Sequence, residues 1–145
     1  MRSLEESDRP NAAGARSRRT MTSLAVDQVA ALLRAAFDRH DLSSFGALLA
    51  DDVWWGDDDQ PHRCRGRSDV LATFSRLVGQ GVETRVTDVI LGPVGLVVVM
   101  QARWADDRNT RKEVALYHAY LIRGGLITQI SRYEARAAAV EAIGA

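Results

Sequence analysis

The sequence predicts one α+β domain, in which helices come first and a curved antiparallel sheet follows. Two observations on the order of residues carry this prediction. Apolar residues recur at a spacing of three or four until about residue 80, which is typical of amphipathic helices. From Val82 onward they alternate with polar residues or form β-branched runs, as strands do. The chain has 145 residues, 46% of them hydrophobic, which is enough for one core.

Three helices are expected before the sheet, each preceded by a residue type that caps helices. Their N-caps are placed at Ser23, Asp41 and Ser68. The first helix ends near residue 40, the second carries Leu48 and Leu49 on its apolar face, and the third ends at glycines 79–81. Residues 53–55 between the second and third helices are expected to form a short strand, followed by a polar loop over 56–66.

Four strands follow, over residues 82–91, 94–104, 111–123 and 126–133, with a tight hairpin at Gly124-Gly125. A final short helix is expected within residues 134–143. Four hairpin-linked strands cannot bury an apolar face by themselves, so the helices must cover the sheet. A twisted sheet wrapped around helices encloses a cone-shaped cavity, and such cavities are typical small-molecule sites.

Composition excludes several classes of function. Lys+Arg and Asp+Glu number 19 each, so the chain lacks the basic excess of a nucleic-acid-binding protein. The single cysteine, Cys64, cannot form an internal disulfide, and no apolar run is long enough for a membrane span or a secretory signal. A cytoplasmic protein without a membrane or nucleic-acid partner is therefore expected. Residues 1–20 read as a disordered tail, with Met21 as an alternative start, and residues 21–145 as the domain.

Several short motifs, in this order, resemble the nuclear-transport-factor-2-like superfamily. They are Asp41-Leu42, the run from Leu48 to Val53, Arg65-Gly66-Arg67, Gly124-Gly125-Leu126-Ile127 and Tyr133. The SnoaL-type polyketide cyclases and the ketosteroid isomerases are the most similar groups within it. The resemblance covers about residues 22–138. It implies the cone-shaped fold, which serves isomerases, cyclases, dehydratases, hydrolases and non-catalytic binding domains, and so it does not select one function.

The resemblance also implies two catalytic positions. Steroid isomerases of the superfamily carry an Asp-Asp-x-x-x-x-Asp pattern whose last residue is the general base, and Asp57 takes that place in this sequence. The second acidic position of the family falls on His118. The oxyanion tyrosine of the family falls on Leu33, a departure that argues against the usual steroid-isomerase mechanism.

The residues themselves allow two interpretations of each candidate. Asp57 is either a base made stronger by desolvation at a cavity mouth or, with Asp58 and Asp59, part of a solvated loop. His118 is either a buried histidine of the core or a group that stabilises a developing oxyanion. The further substrate-binding candidates are Trp55, His62, Arg103 and Tyr120.

No cofactor motif is present, and the spacing of Asp57, His62 and His118 matches no metal motif. Two functions stay open. One is a cofactor-independent acid–base enzyme of the isomerase, cyclase or dehydratase type, acting on a small apolar carbonyl compound. The other is a non-catalytic ligand-binding or dimerisation domain of the same fold. Because Ala115, Tyr117, Ala119 and Leu121 give the outer sheet face an apolar surface, a homodimer packed through that face is expected.

Overall fold

The computed structural model describes residues 12–57 and 63–145. In this part of the chain the helices are α1 (Ala12–Arg39), α2 (Leu42–Ala47), α3 (Arg67–Gly79) and α4 (Arg136–Ala142). The strands are β1 (Leu49–Asp57), β2 (Cys64–Arg65), β3 (Glu83–Leu91), β4 (Gly95–Ala105), β5 (Arg111–Arg123) and β6 (Leu126–Tyr133). The predicted α+β class and the predicted order of elements are confirmed. The short strand β2 is an addition that the sequence does not predict.

The strands form one six-stranded sheet in the order β2-β1-β6-β5-β4-β3. Strands β3 to β6 pair antiparallel, as expected for hairpin-linked neighbours. Strand β1 instead pairs in parallel with β6, so the sheet is mixed rather than antiparallel throughout. The parallel pair is possible because α3 and four strands separate β1 from β6 along the chain, which is a long enough connection to reverse direction.

Helices α1, α2 and α3 cover the inner face of the sheet. The core between them is apolar and includes Val29 and Leu33 from α1, Phe45 from α2 and Val70 from α3, against Val98 of β4. Burying these side chains is the main favourable contribution to folding, at about 1.5–3 kcal/mol each. The cavity described below lies along this same inner face.

Two of the predicted helix starts can be compared with capping geometry. The Asp41 carboxylate accepts a hydrogen bond from the Ser44 backbone N–H at 3.1 Å and from the Ser44 hydroxyl at 2.6 Å, so the N-cap of α2 is confirmed. These two hydrogen bonds hold the pKa of Asp41 below its usual value. The Ser68 N-cap is wrong, because the chain turns at Gly66 with φ of 89° and α3 starts at Arg67.

Helix α1 begins at Ala12, earlier than the predicted start at Ser23. Residues 12–20 are therefore helical, although the sequence analysis expects disorder there. The segment is rich in Ala and Arg, which have high helix propensity and extend the helix outward from its buried residues Val26 and Val29. Residues 1–11 lie outside the described residues, and the domain boundary at residue 21 stays a prediction.

Helix α4 covers part of the outer sheet face. Its residue Ala139 and the C-cap residue Ile143 are fully buried in a second apolar cluster with Val97 of β4 and Ala119 of β5. From the sequence, a second subunit is expected to cover this face, but α4 of the same chain covers much of it. The homodimer is neither shown nor contradicted by this arrangement.

Candidate functional site

A cavity of about 960 Å³ lies between the inner face of the sheet and the helices. Its wall is mainly apolar and draws on α1, α2, α3 and all six strands, so nearly every part of the domain contributes to it. The side chains used below are Phe37, Trp55, Phe74, Met100, Leu116, His118 and Arg132. The volume and the apolar wall are those of a site for a small organic molecule.

The cavity edge is also apolar. Val78 of α3, Trp104 of β4 and Val114 of β5 line the cavity and are exposed to solvent by 66%, 37% and 42%. Large apolar side chains that are exposed next to one another often mark a binding surface. The apolar wall thus continues from the interior to the opening.

Three polar positions share one row across the sheet. In the backbone register, Asp57 of β1 is opposite Arg132 of β6, and Arg132 is opposite His118 of β5. The side chains of His118 and Arg132 line the cavity. Asp57 is the last residue of β1, and the structure describes its backbone only. The row therefore brings the two predicted catalytic positions to neighbouring places, with Arg132 between them.

His118 is a buried polar residue at the cavity wall, with 4% of its surface exposed. The Trp55 and Tyr120 rings approach it at centroid distances of 6.1 and 6.4 Å, with interplanar angles of 90° and 89°. Rings at these angles make edge-to-face contacts, which are favourable and fix orientation. The imidazole is held between two aromatic rings, with the cavity beside it.

Trp55 lies on the inner face of β1 and lines the cavity, and its role in substrate binding stays a prediction. Its indole stacks on the Phe74 ring of α3 at a centroid distance of 4.8 Å. The indole nitrogen Nε1 is buried, and among the described residues it has no hydrogen-bond partner. An indole N–H can only donate, so it presents a donor that the described residues do not use.

Tyr120 is fully buried and does not line the cavity. It lies on the same face of β5 as His118, two residues further along, where it packs in the main core together with Leu33. Desolvation raises the pKa of the Tyr120 phenol well above its usual value, so the group stays protonated. Its hydroxyl has no hydrogen-bond partner within the described part of the chain. Because it is fully buried away from the cavity wall, Tyr120 does not contact the cavity directly.

Arg103 lies away from the cavity, contrary to the predicted substrate contact. Its neighbours Ala102 and Trp104 line the cavity, and alternation along β4 turns Arg103 to the outer face. There it is exposed and 3.9 Å from Glu83 of β3. His62, the remaining predicted binding residue, lies outside the described residues.

Arg132 and Phe74 are site residues that the sequence analysis does not identify. Arg132 follows the buried Ile130 by two positions on β6, so strand alternation alone could place it on the inner face. Phe74 is predicted only as an apolar helix position, and its role as the support for Trp55 depends on how α3 packs against β1. Nothing in the sequence spacing indicates that packing.

Two searches of the described residues give negative results. No group of three His, Cys, Asp or Glu side chains there is arranged to hold a metal ion. Among the helices described, none has both the length and the apolar character needed to cross a membrane.

Comparison with known proteins identifies the fold family. Residues 29–130 match the family model of the SnoaL-like domain. A candidate polyketide cyclase from Xanthomonas campestris pv. campestris superimposes with a TM-score of 0.64 at 18% identity, over 85% of this chain and 97% of that one. A protein of unknown function from Burkholderia pseudomallei K96243 gives 0.62 at 19% identity, over 83% and 98%.

A third similar structure contains a ligand. The Mycobacterium tuberculosis protein Rv0760c, in complex with estradiol-17β-hemisuccinate, superimposes with a TM-score of 0.59 at 18% identity, over 78% of this chain and 95% of that one. No curated protein sequence matches this chain. Identities this low establish a shared fold and leave activity open.

Proposed function

Because this chain belongs to the SnoaL-like domain family, we propose that it is a cofactor-independent acid–base enzyme acting on a small apolar carbonyl compound. One observation supports the proposal most. The positions of Asp57, Arg132 and His118 share a row of the sheet beside an apolar cavity. A base, a cation and a hydrogen-bonding imidazole are the groups that enolate chemistry needs.

In the proposed reaction the Asp57 carboxylate removes a proton from the carbon next to the carbonyl group. The C–H electron pair moves into the new C–C double bond, and the carbonyl π pair moves to oxygen, which becomes an enolate. His118 stabilises that oxygen by hydrogen bonding, and the positive charge of Arg132 favours the anion. Asp57 then returns the proton to carbon, at the same or a conjugated position, and no oxidant or metal is required.

The apolar wall supports an apolar substrate. Phe37, Met100 and Leu116 would contact the hydrocarbon part of a ligand, and the exposed Val78 and Trp104 would extend that contact toward solvent. Rv0760c, which has the same fold, binds a steroid ester. We therefore place the substrate among fused-ring or polyketide-like ketones of comparable size.

A non-catalytic ligand-binding domain is the second candidate. It is favoured by Leu33, which is fully buried at the position where the resemblance implies an oxyanion tyrosine. A pocket without that hydroxyl still binds apolar molecules, but it stabilises an enolate less well. The two candidates differ in whether Asp57 moves a proton.

Deuterium exchange distinguishes the two candidates. The bicyclic ketone 2-tetralone has acidic protons next to its carbonyl, and their replacement by deuterium in D₂O can be followed by NMR. We expect the protein to accelerate exchange and Asp57→Asn to remove the acceleration, with Asp52→Asn as the matched control at an exposed aspartate of the same strand. Binding of 2-tetralone without accelerated exchange would favour the binding domain.

The stability of Asp57→Asn gives a second measurement. A desolvated base has a raised pKa, so wild type should lose stability relative to the variant as pH rises above the unfolded value of about 4. If the stability curves of wild type and Asp57→Asn run parallel from mildly acidic to neutral pH, Asp57 is not a desolvated base.

We further propose a cytoplasmic homodimer. Trp54 of β1 and Leu121 of β5 are half-buried on the outer face, next to the part that α4 covers. A second subunit packed there would remove their remaining apolar surface from water. This contact would be smaller than a sheet-to-sheet interface over the whole outer face.

A further inference from the structure

Trp55 lines the proposed site and carries a buried hydrogen-bond donor. Its indole lines the cavity and contacts the His118 ring, while Nε1 is buried and has no acceptor among the described residues. We propose that the Trp55 N–H donates to the carbonyl or enolate oxygen of the ligand, next to His118. This inference rests on the proposed function of the cavity and names the part of the ligand that the site recognises.

A buried donor without an acceptor is unfavourable, and folded proteins rarely keep one. A ligand oxygen within reach of Nε1 removes that penalty on binding, whereas a hydrocarbon leaves it in place. The site therefore discriminates between ligands with and without an acceptor. Discrimination of this kind is strong, because the wrong ligand leaves a buried polar group unpaired.

The indole is also held in place before a ligand arrives. One ring face stacks on Phe74, its edge contacts His118, and the backbone of Trp55 pairs with Cys64 of β2. A donor whose ring is held by two aromatic contacts and whose backbone is held in the sheet loses little conformational entropy when it forms a hydrogen bond. Such preorganised donors are the most effective at stabilising a developing negative charge.

Helix α1 offers no replacement for this donor. The α1 side chains that line the cavity, Ala36 and Phe37, have no polar atoms, and the buried Leu33 behind them has none. Thr73, Ser75 and Arg76 of α3 also line the cavity, but α1 gives a ligand oxygen no side-chain donor, and on the sheet Trp55 and His118 are adjacent. The ligand class that fits is a ketone, ester or phenolate rather than an alkane or an amine.

The experiment uses two bicyclic molecules, 2-tetralone and tetralin. The first has a carbonyl group where the second has a CH₂ group. Binding to wild type, Trp55→Phe and Trp54→Phe is measured by calorimetry. Trp54 occupies the neighbouring position, on the opposite face of β1, so Trp54→Phe is the matched control. We expect Trp55→Phe to weaken 2-tetralone binding about tenfold, the equivalent of one hydrogen bond, and to change tetralin binding less than twofold.

A second measurement needs no Trp55 variant. The chain has three tryptophans, so Trp54→Phe and Trp104→Phe assign the Trp55 indole N–H signal by elimination. We expect 2-tetralone to move this proton signal further downfield than tetralin does in wild type, since a hydrogen bond to the carbonyl oxygen deshields the proton and the aromatic ring is common to both molecules.

Equal weakening of both molecules by Trp55→Phe would overturn the proposal, because it would show packing without a hydrogen bond. An indole signal that does not respond to 2-tetralone would overturn it as well. If neither molecule binds to wild type, both this inference and the proposal that the cavity binds apolar ligands are overturned. A third outcome separates the two proposals. If wild type does not accelerate deuterium exchange but Trp55→Phe still weakens the binding of 2-tetralone and not of tetralin, the enzyme proposal is rejected and the hydrogen bond from Trp55 is supported.

Discussion

Replacing Tyr120 by Phe removes one oxygen atom from a fully buried side chain. The hydroxyl has no partner among the described residues, so its removal leaves no described group unpaired. A buried polar group without a hydrogen bond costs about 1–3 kcal/mol of desolvation, and a small void left by the oxygen offsets part of the gain. We expect Tyr120→Phe to stabilise the protein by about 1 kcal/mol, which raises Tm by about 3 °C.

The pH dependence of Tyr120→Phe has a definite sign. Burial raises the pKa of Tyr120, so the folded state keeps a proton that the unfolded state releases above a pH of about 10. Wild type therefore loses stability as pH rises through that value, and Tyr120→Phe lacks this contribution. The stability advantage of the variant should grow by about 1.4 kcal/mol for each pH unit above 10.

Urea unfolding of wild type and Tyr120→Phe at pH 8 and at pH 10.5 measures both effects. Tyr117→Phe is the control, since Tyr117 is half-buried on the other face of the same strand. A Tyr120→Phe variant less stable than wild type by 1 kcal/mol or more would refute the reasoning. It would mean that the phenol donates to a group that stabilises the fold.

Two further predictions concern the outer sheet face. Ile143→Ala should lower the free energy of unfolding by about 2–5 kcal/mol, measured by urea unfolding, because Ile143 is fully buried between α4 and the sheet; a loss below 1 kcal/mol would mean that α4 does not stay packed. Analytical ultracentrifugation at micromolar concentration should show a homodimer for wild type and a monomer for Leu121→Lys, and a monomeric wild type would contradict the proposed contact.

Strand β4 shows where the sequence pattern stops being informative. One set of alternate residues is Val98, Met100 and Ala102, and the other is Val97, Val99 and Gln101. Both sets are largely apolar, because α4 covers the outer face and the core covers the inner one. Alternation predicts the strand but not which set faces the cavity. Alternation groups Arg103 with Val97, Val99 and Gln101 but does not show that this set faces outward.

The candidate site was predictable to a different degree for each residue. Trp55 and His118 lie at the cavity as expected, since the family resemblance supplied the position of His118 and alternation places Trp55 on one sheet face. The contact of Trp55 with Phe74 depends on the packing of α3 and has no sequence signal. Arg132 enters the row through the β1–β6 register, and no local pattern predicts that two strands so distant in the chain are parallel neighbours.

The parallel pairing of β1 with β6 also sets the order in which the domain can be completed. Hairpins of β3, β4 and β5 join neighbouring segments and can form as soon as those segments leave the ribosome, whereas β1 must wait for β6. Until then one edge of β1 is unpaired, and the apolar surface that α4 later covers is open to other chains. The row containing Asp57, Arg132 and His118 is thus among the last parts of the molecule to assemble. A chain interrupted after β5 lacks Arg132 and the β1–β6 pairing that aligns Asp57 with His118, while it keeps the sheet surface most prone to aggregation.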